Sequence, residues 1–540
     1  MKQYIKFTLG LFLGLSLLTS CEDMLNVDPE EVLLSGDYLG DDELDARSAL
    51  FGVLSQLQEV AGQYIVLGEM RADLVDVNLD TEDELRQLNS LEISNDNSFI
   101  DPTTLFSIIN NCNFALVGID TKAYEERLLE DYASIMRIRT WAQMQILINY
   151  GKLPYIDKPI RSDDNFKDEY PLLDFNQGLN QLIRNLQAIA GIDNVSRHES
   201  SLTFNIESMI PNNDILLGDL FLWSGDYIGA AESYKRFLDN QFDGGPIYRL
   251  NNYTTRVEET GTGYVIAGSS WRSIFSNNTP QPSESINIIG FSEQYRQPNN
   301  IYDIATTQMK PSESILLNWS AQDYGYEGVP VQIAEYPYDY RYYSSVNQLD
   351  PELLGKYQEE YFMWNRAAKI YLRYAEAINY AGYPEHALAI LNGIFNNPDV
   401  EPKDAPIFNN AQTFLNFDLD AYFTTNNSDE PISGLLGVRD RAGLAPVSVP
   451  SGLTQSETID QVGALILNEA ALELAFEGNR WEDLVRFSRR ANDPSIIADA
   501  VANKFELAGN AAQANSVRQK LSNPSNWFLH LDVPDNFVEQ

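Results

Sequence analysis

Three kinds of residue are scarce in this 540-residue chain, and each scarcity removes a class of chemistry. Only Cys21 and Cys112 are cysteines, so neither a disulfide framework nor a zinc site built on cysteine pairs is available. The three histidines, His198, His386 and His530, stand far apart, and no HExxH, G-x-S-x-G or phosphate-cradling P-loop pattern occurs. Positive charge is short as well: 37 Lys and Arg face 78 Asp and Glu, for a formal charge of −41. A surface of that sign repels nucleic acid and anionic lipid. So many carboxylates also make any one Asp/Glu pair uninformative about glycosidase chemistry, which needs two at a fixed spatial separation. The expectation is a binding protein with no cofactor and no metal, not an enzyme. Asp76-Val77-Asn78-Leu79-Asp80 begins like a calcium loop, but Thr81 stands where glycine is needed and Gln87 where glutamate is needed.

The apolar run from Phe7 to Leu18 spans 12 residues, too short for a bilayer that needs about 20. Lys2 and Lys6 precede it and Leu18-Thr19-Ser20-Cys21 closes it, the small residues and cysteine that lipoprotein processing requires. Residues 1–20 are therefore expected to be removed, leaving Cys21 acylated as the first residue of a chain held to a membrane surface by lipid. Its acyl chains would supply about 0.8 kcal/mol per buried methylene. Glu22, Asp23, Asp28, Glu30 and Glu31 make residues 21–43 an acidic tether and sorting signal. With Cys21 acylated, Cys112 has no intrachain partner and is expected as a buried small apolar residue.

Helical periodicity dominates three stretches. Leu128, Leu129, Tyr132, Ile135, Met136, Ile138, Trp141, Met144 and Ile148 recur at three and four, predicting a helix with one wide buried face, stopped by Gly151 and Pro154. Asn213 to Leu238 reads as a helical hairpin broken at Gly225-Asp226, and Met363 to Phe395 as another broken at Gly382-Tyr383-Pro384. Gly225 is followed five residues on by Ala230, Gly382 by Ala387 and, more weakly, Gly509 by Ala514, a spacing that lets antiparallel helices approach as in tetratricopeptide-type pairs. Unequal intervals between the copies exclude a continuous solenoid. Between them lie two irregular stretches, Asp243 to Pro351, with short strand-like runs such as Ser285 to Phe291, and Asn396 to Pro431. Long loops on a rigid helical scaffold are where ligand contact concentrates.

Several motifs, in their order along the chain, resemble the SusD/RagB family of outer-membrane lipoproteins. Near the start these are Gly68 to Asp73, Leu105 to Asn113, Arg139 to Ala142 and Tyr150 to Tyr155; later come Tyr371 to Ala377, Val438 to Leu444 and Glu473 to Arg486. The chain departs from the family at Glu469-Ala470-Ala471, where Glu-Arg-Arg is common, and in the insert from Asn396 to Pro431. The resemblance implies a mainly α fold built on tetratricopeptide-like helix pairs with long, irregular, aromatic-rich insertions. Its expected parts are an N-terminal helical part (44–240), an irregular insertion (241–351) and a C-terminal part (352–540), forming one compact unit. It further implies an outward-facing, lipid-anchored protein of the cell outer membrane. Such a protein captures a glycan and delivers it, as a lid, to a SusC-like TonB-dependent transporter. Peptide capture with the same transporter, or a surface glycoside hydrolase, are the alternative readings.

Aromatics lead to the candidate site. One Trp and seven Tyr lie between Trp319 and Tyr343, and flat aromatic faces pack on the C–H face of sugar rings. Tyr336, Tyr338, Tyr340 and Tyr342 alternate as on one strand face and are read as core, with Asp339-Tyr340-Arg341 resembling a family packing motif. Trp319, Tyr324 and Tyr326, read as lying in a loop before Pro330, are candidates for ligand contact, as is Tyr295, where the family often presents a binding aromatic. Asp73, Asn95 and Asn97, the last two in the polar loop from Asn89 to Phe99, are expected to supply hydrogen bonds from the opposite wall. Arg480 and Asp483 are read as members of an internal ion-paired network.

Overall fold

A computed structural model describes residues 43–122, 126, 128–161, 167–192, 206–242, 245–248, 250, 255–260, 263–269, 273–276, 283–292, 298–323, 339, 341–347, 349–393, 410–417 and 437–540. Cys21, Tyr295, Tyr324 and Tyr326 lie outside the described residues.

The architecture is mainly α-helical. It opens with α1 (Glu43–Glu69), strand β1 (Val75–Val77), α2 (Asp83–Ser90), α3 (Thr103–Gly118) and α4 (Leu129–Tyr150). The periodicity located α4 correctly but understated its burial. The helix is enclosed nearly all round, not along one face, because α1, α3 and α5 (Phe175–Gln187) pack about it. A helix so placed must pair its polar groups internally. Arg47 Nε accordingly donates to Asp131 Oδ1 at 2.7 Å and Arg139 to Asn113 Oδ1 at 2.7 Å. Cys112, on α3, is buried and free as expected. Gly151, at φ +76°, ends α4 by donating to Leu147 O. The chain then forms β2 (Leu153–Pro154) antiparallel to β3 (Tyr170–Leu173).

The predicted hairpin from Asn213 to Leu238 is α6 (Asn213–Ser224) and α7 (Tyr227–Leu238). Beyond it come the ribbon β4 (Thr255–Thr260) and β5 (Gly263–Ser269), then β6 (Ser285–Gly290) where a strand is expected. Two helices, α8 (Asn300–Thr307) and α9 (Glu313–Ser320), flank β7 (Met309–Pro311), which pairs antiparallel with β1. The surrounding composition conceals them, since eight residues give barely two helical periods. Their starts are nonetheless marked by side-chain caps, Asn299 accepting from Tyr302 N and Ser312 from Ile315 N. Met363 to Arg366, predicted as helix, is instead part of β8 (Tyr361–Arg366), which pairs antiparallel with β6. Buried on both faces, this strand lacks the alternation that distinguishes strand from helix. After it follow α10 (Ala367–Tyr380), α11 (Pro384–Asn392), α12 (Gln455–Glu473), α13 (Arg480–Ala491), α14 (Ser495–Leu507) and α15 (Ala511–Leu521). The C-terminal β9 (Phe537–Glu539) lies parallel on β3. One core gathers around α1, α3, α4 and α5, and a second around α6, α7, α10, α11 and α12.

The shared glycine–alanine spacing has a mixed cause. Gly225, Gly382 and Gly509 hold φ of +82°, +102° and +77°. Each donates to the carbonyl three residues back while the next N–H reaches five back, as in Asp226 N to Phe221 O at 3.0 Å, Tyr383 N to Ile378 O at 2.9 Å and Asn510 N to Phe505 O at 2.8 Å. The glycines thus serve the sign of φ and not close approach: nothing lies within 4 Å of a Cβ built on Gly225 or Gly509. Close approach falls to Ala230, Ala387 and Ala514, all fully buried, and to Gly218, whose added Cβ would sit 2.5 Å from the Tyr234 ring. Asn492, at φ +50°, ends α13 with the same two bonds, so α13 and α14 form a further pair that a search for glycine passes over.

Candidate ligand-binding cleft

A polar cleft of about 410 Å³ opens where three pieces of the scaffold meet. Gln58, Glu59 and Gln63 of α1 form its floor. Ser98, Phe99, Asp101 and Thr104, at the entry to α3, form one wall, and Phe291, Asn299, Asn300 and Ile301, between β6 and α8, form the other. The walls are rigid because side chains tie them to their neighbours. Gln63 Nε2 donates to both Phe99 O and Asp101 O at 2.8 Å, fixing the first wall to α1. Gln58 Nε2 donates to Gly290 O, which fixes the second. Asn299 Nδ2 reaches Gln358 O at 2.8 Å while its oxygen caps α8. Ser98 is held by Glu84, through Ser98 N to Oε1 at 2.9 Å and Ser98 Oγ to Oε2 at 2.6 Å. What faces the cavity is therefore a set of amides, hydroxyls and two carboxylates between the aromatic edges of Phe99 and Phe291.

The candidates read from the sequence divide sharply around this cleft. Trp319 belongs to α9, not to a loop, and is fully buried. Its Nε1 donates to Leu472 O at 3.3 Å and its ring meets Tyr342 and Phe476 edge-on, each at 5.9 Å between centroids. It is a core residue, and the expectation of ligand contact there is corrected. Asp73 is likewise withdrawn from the ligand set: it is 6 % exposed, and both carboxylate oxygens are occupied by Arg480. Asn97, 2 % exposed, caps the turn Ser98–Ile100 and donates to Glu84 O and Gln87 Oε1. It shapes the loop that carries Ser98 and does not face a ligand. Asn95 is exposed two residues before it. Tyr295 lies outside the described residues, between Phe291 and Asn299, which both line the cleft. Nothing in the sequence singles out Gln58, Glu59, Gln63 or Asn300. Polar residues on an amphipathic helix read as solvated until a facing wall is placed opposite them.

The strongest sequence motifs assemble elsewhere, in a buried ionic network. Arg341 bonds Asp339, Glu469 and Glu473, each within 2.7 Å. Arg366 bonds Glu284, Glu473 and Glu477 at 2.8 Å, and Arg441 bonds Glu284 and Glu473. Arg439 pairs with Glu469 at 2.7 Å and Lys356 with Glu477. Burial pushes the Glu473 carboxyl up, yet Arg441, Arg366 and Arg341 together hold it well below the usual carboxylate range. Beside the network, Arg486 pairs with Glu376 and with Asp483, each at 2.7 Å, and Arg480 pairs with Asp73 at 2.7 Å, so Arg480 and Asp483 both stand in internal ion pairs as read. Tyr342, also read as core, is buried, but it opens a single helical turn and not a strand. Glu69 is different. It closes α1, accepts from Gly478 N at 2.8 Å and Asn479 N at 3.2 Å, and is bonded to no cation among the described residues; burial pushes its carboxyl up to about 8.

Comparison with known proteins agrees with this architecture. The SusD family model matches residues 420–530. The chain is 23% identical to the SusD-like protein P38 of Formosa agariphila over 90% of this chain and 92% of that one. A SusD superfamily protein from Bacteroides vulgatus superposes with a TM-score of 0.59 at 13% identity, over 90% of this chain and 95% of that chain. A laminarin-binding SusD-like protein superposes with a TM-score of 0.52 at 15% identity, over 88% and 98%. At such identities the superpositions speak for the fold.

Proposed function

We infer from the SusD family model over residues 420–530 and the SusD-like relative that the chain belongs to the SusD/RagB family, and we propose that it is a cell-surface binding lipoprotein that captures a glycan and delivers it to a SusC-like TonB-dependent transporter. The observation that carries this reading is the cleft between α1, the entry to α3 and α8: a cavity of about 410 Å³, hydrogen-bonding on every side and held on rigid elements, in a fold shared with a laminarin-binding protein. Two aromatic residues edge it, Asn95 is exposed three residues before Ser98 of one wall, and Tyr295 follows Phe291 by four residues in the sequence. Tyr295 would supply the flat face for a sugar ring and Asn95 a hydrogen bond at the rim. Tyr324 and Tyr326 remain candidates for the same face.

The chain acts by binding, and the transporter supplies the energy of uptake. No helix among the described residues is long and apolar enough to cross a membrane. Attachment rests on Cys21, whose acylation is expected from the residues before it; Cys21→Ala should release the protein from the membrane fraction.

Isothermal titration or affinity electrophoresis of the folded protein against a polysaccharide panel tests the reading. Binding to at least one glycan, weakened by Tyr295→Ala with no change in melting temperature, is the expected result. A folded protein that binds no glycan would overturn it, and release of reducing sugar by the purified chain would make it an enzyme instead. Co-purification with a barrel transporter tests the partnership separately.

A further inference from the structure

We infer that the cleft takes an uncharged, hydroxyl-rich glycan and discriminates against polyanionic ones; this rests on the capture reading above. Among the described residues that line it there is no Lys, Arg or His, whereas Glu59 and Asp101 bring two carboxylates, both exposed to the cavity side. A uronate or sulfate group would meet like charge there without a compensating cation. The protein as a whole, at −41, adds a repulsive field.

Hydrogen-bonding capacity points the same way. Donors on the walls are largely committed: both hydrogens of Gln63 Nε2 go to Phe99 O and Asp101 O, and Ser98 Oγ donates to Glu84. Acceptors are left over. The exposed carboxylates of Glu59 and Asp101 only accept, and they are complementary to a ligand that brings donors, which sugar hydroxyls do and carboxylate and sulfate groups do not.

The test compares neutral laminarin and pullulan with alginate and heparin by affinity electrophoresis and titration calorimetry at low and at physiological salt. Retention by a neutral polymer, with both polyanions at least tenfold weaker, supports the inference. Added salt should narrow that gap by screening the repulsion. Glu59→Lys, an exposed substitution, should shift the preference toward the polyanions by about tenfold. A polyanion bound as tightly as any neutral polymer would overturn the inference and leave glycan capture standing. Arg296 lies outside the described residues, and capture of a polyanion through it would count against the inference equally. Unchanged discrimination in Glu59→Lys would overturn the assignment to this cleft, and failure of the folded protein to bind either class would overturn the capture reading itself.

Discussion

Arg480 grips Asp73 across 407 residues of sequence through two parallel hydrogen bonds, Nε to Oδ1 at 2.7 Å and Nη2 to Oδ2 at 2.9 Å. Burial works against charge on Arg480, but Asp73 prevails and holds the guanidinium above its ordinary range. The pair fastens the segment after α1 to the first turn of α13. Asp73→Ala leaves a buried cation without its partner and should cost about 3–5 kcal/mol, read by chemical denaturation. The double variant Asp73→Leu/Arg480→Met should be less destabilised than Asp73→Ala alone. Glycan affinity of the folded single variant should be unchanged. A lost affinity at unchanged stability would return Asp73 to the ligand set.

Trp319 leads to a prediction of the same kind. Trp319→Ala removes a fully buried ring from between Tyr342 and Phe476 and should cost about 3–5 kcal/mol. Trp319→Phe, which gives up the bond to Leu472 O but keeps most of the volume, should cost less than half of that. Neither should change glycan affinity in the folded fraction, and an affinity loss in the stable Trp319→Phe protein would contradict the core assignment.

The contrast between these residues and the cleft explains how far the sequence could be read. Helix-rich architecture was legible because α4, α6 and α7 carry several helical periods each, and the hairpin turns because three of them need a residue at positive φ. β8 was illegible because both its faces are buried, and α8 and α9 because each is only two turns long. Motifs such as Val438 to Leu444 and Glu473 to Arg486 point to the family since they build the buried ionic network, and for that reason they carry no information on the ligand. The cleft is assembled from Gln58, Asp101 and Asn300, unremarkable residues on three separate elements, and only the fold brings them together.

Gly218 and Gly225 sit seven residues apart and should answer differently to alanine. At Gly218 the new Cβ would meet the Tyr234 ring at 2.5 Å, and that ring is fully buried with its hydroxyl bonded to Asp219. Overpacking of this kind costs roughly 1–3 kcal/mol. At Gly225 there is open space, and the penalty is the backbone strain of an L-residue at φ +82°, about 1 kcal/mol. Trimming Tyr234 to Leu should relieve the Gly218→Ala variant, as read by a double-mutant cycle, and leave Gly225→Ala as it was.

Glu69 should make stability depend on pH in an unusual direction. In the folded chain its carboxyl is pushed up from 4.5 to about 8, first by burial, with Asp73 adding to the rise and the N–H groups of Gly478 and Arg480 and the charge of Lys356 only partly offsetting it. The native state therefore keeps a proton that the unfolded chain releases above about pH 4.5. Stability from this group is fully present at low pH and is lost as pH rises through that window toward 8, the reverse of an ion-paired carboxylate. Glu69→Gln keeps the acceptor for Gly478 N and Asn479 N but cannot ionise. Across pH 5 to 8, denaturation midpoints of the wild type should fall relative to those of Glu69→Gln, with the difference levelling off above about pH 8. Parallel curves for the two proteins through that range would mean that Glu69 titrates where an exposed glutamate does, and that its burial against the start of α13 is not maintained in solution.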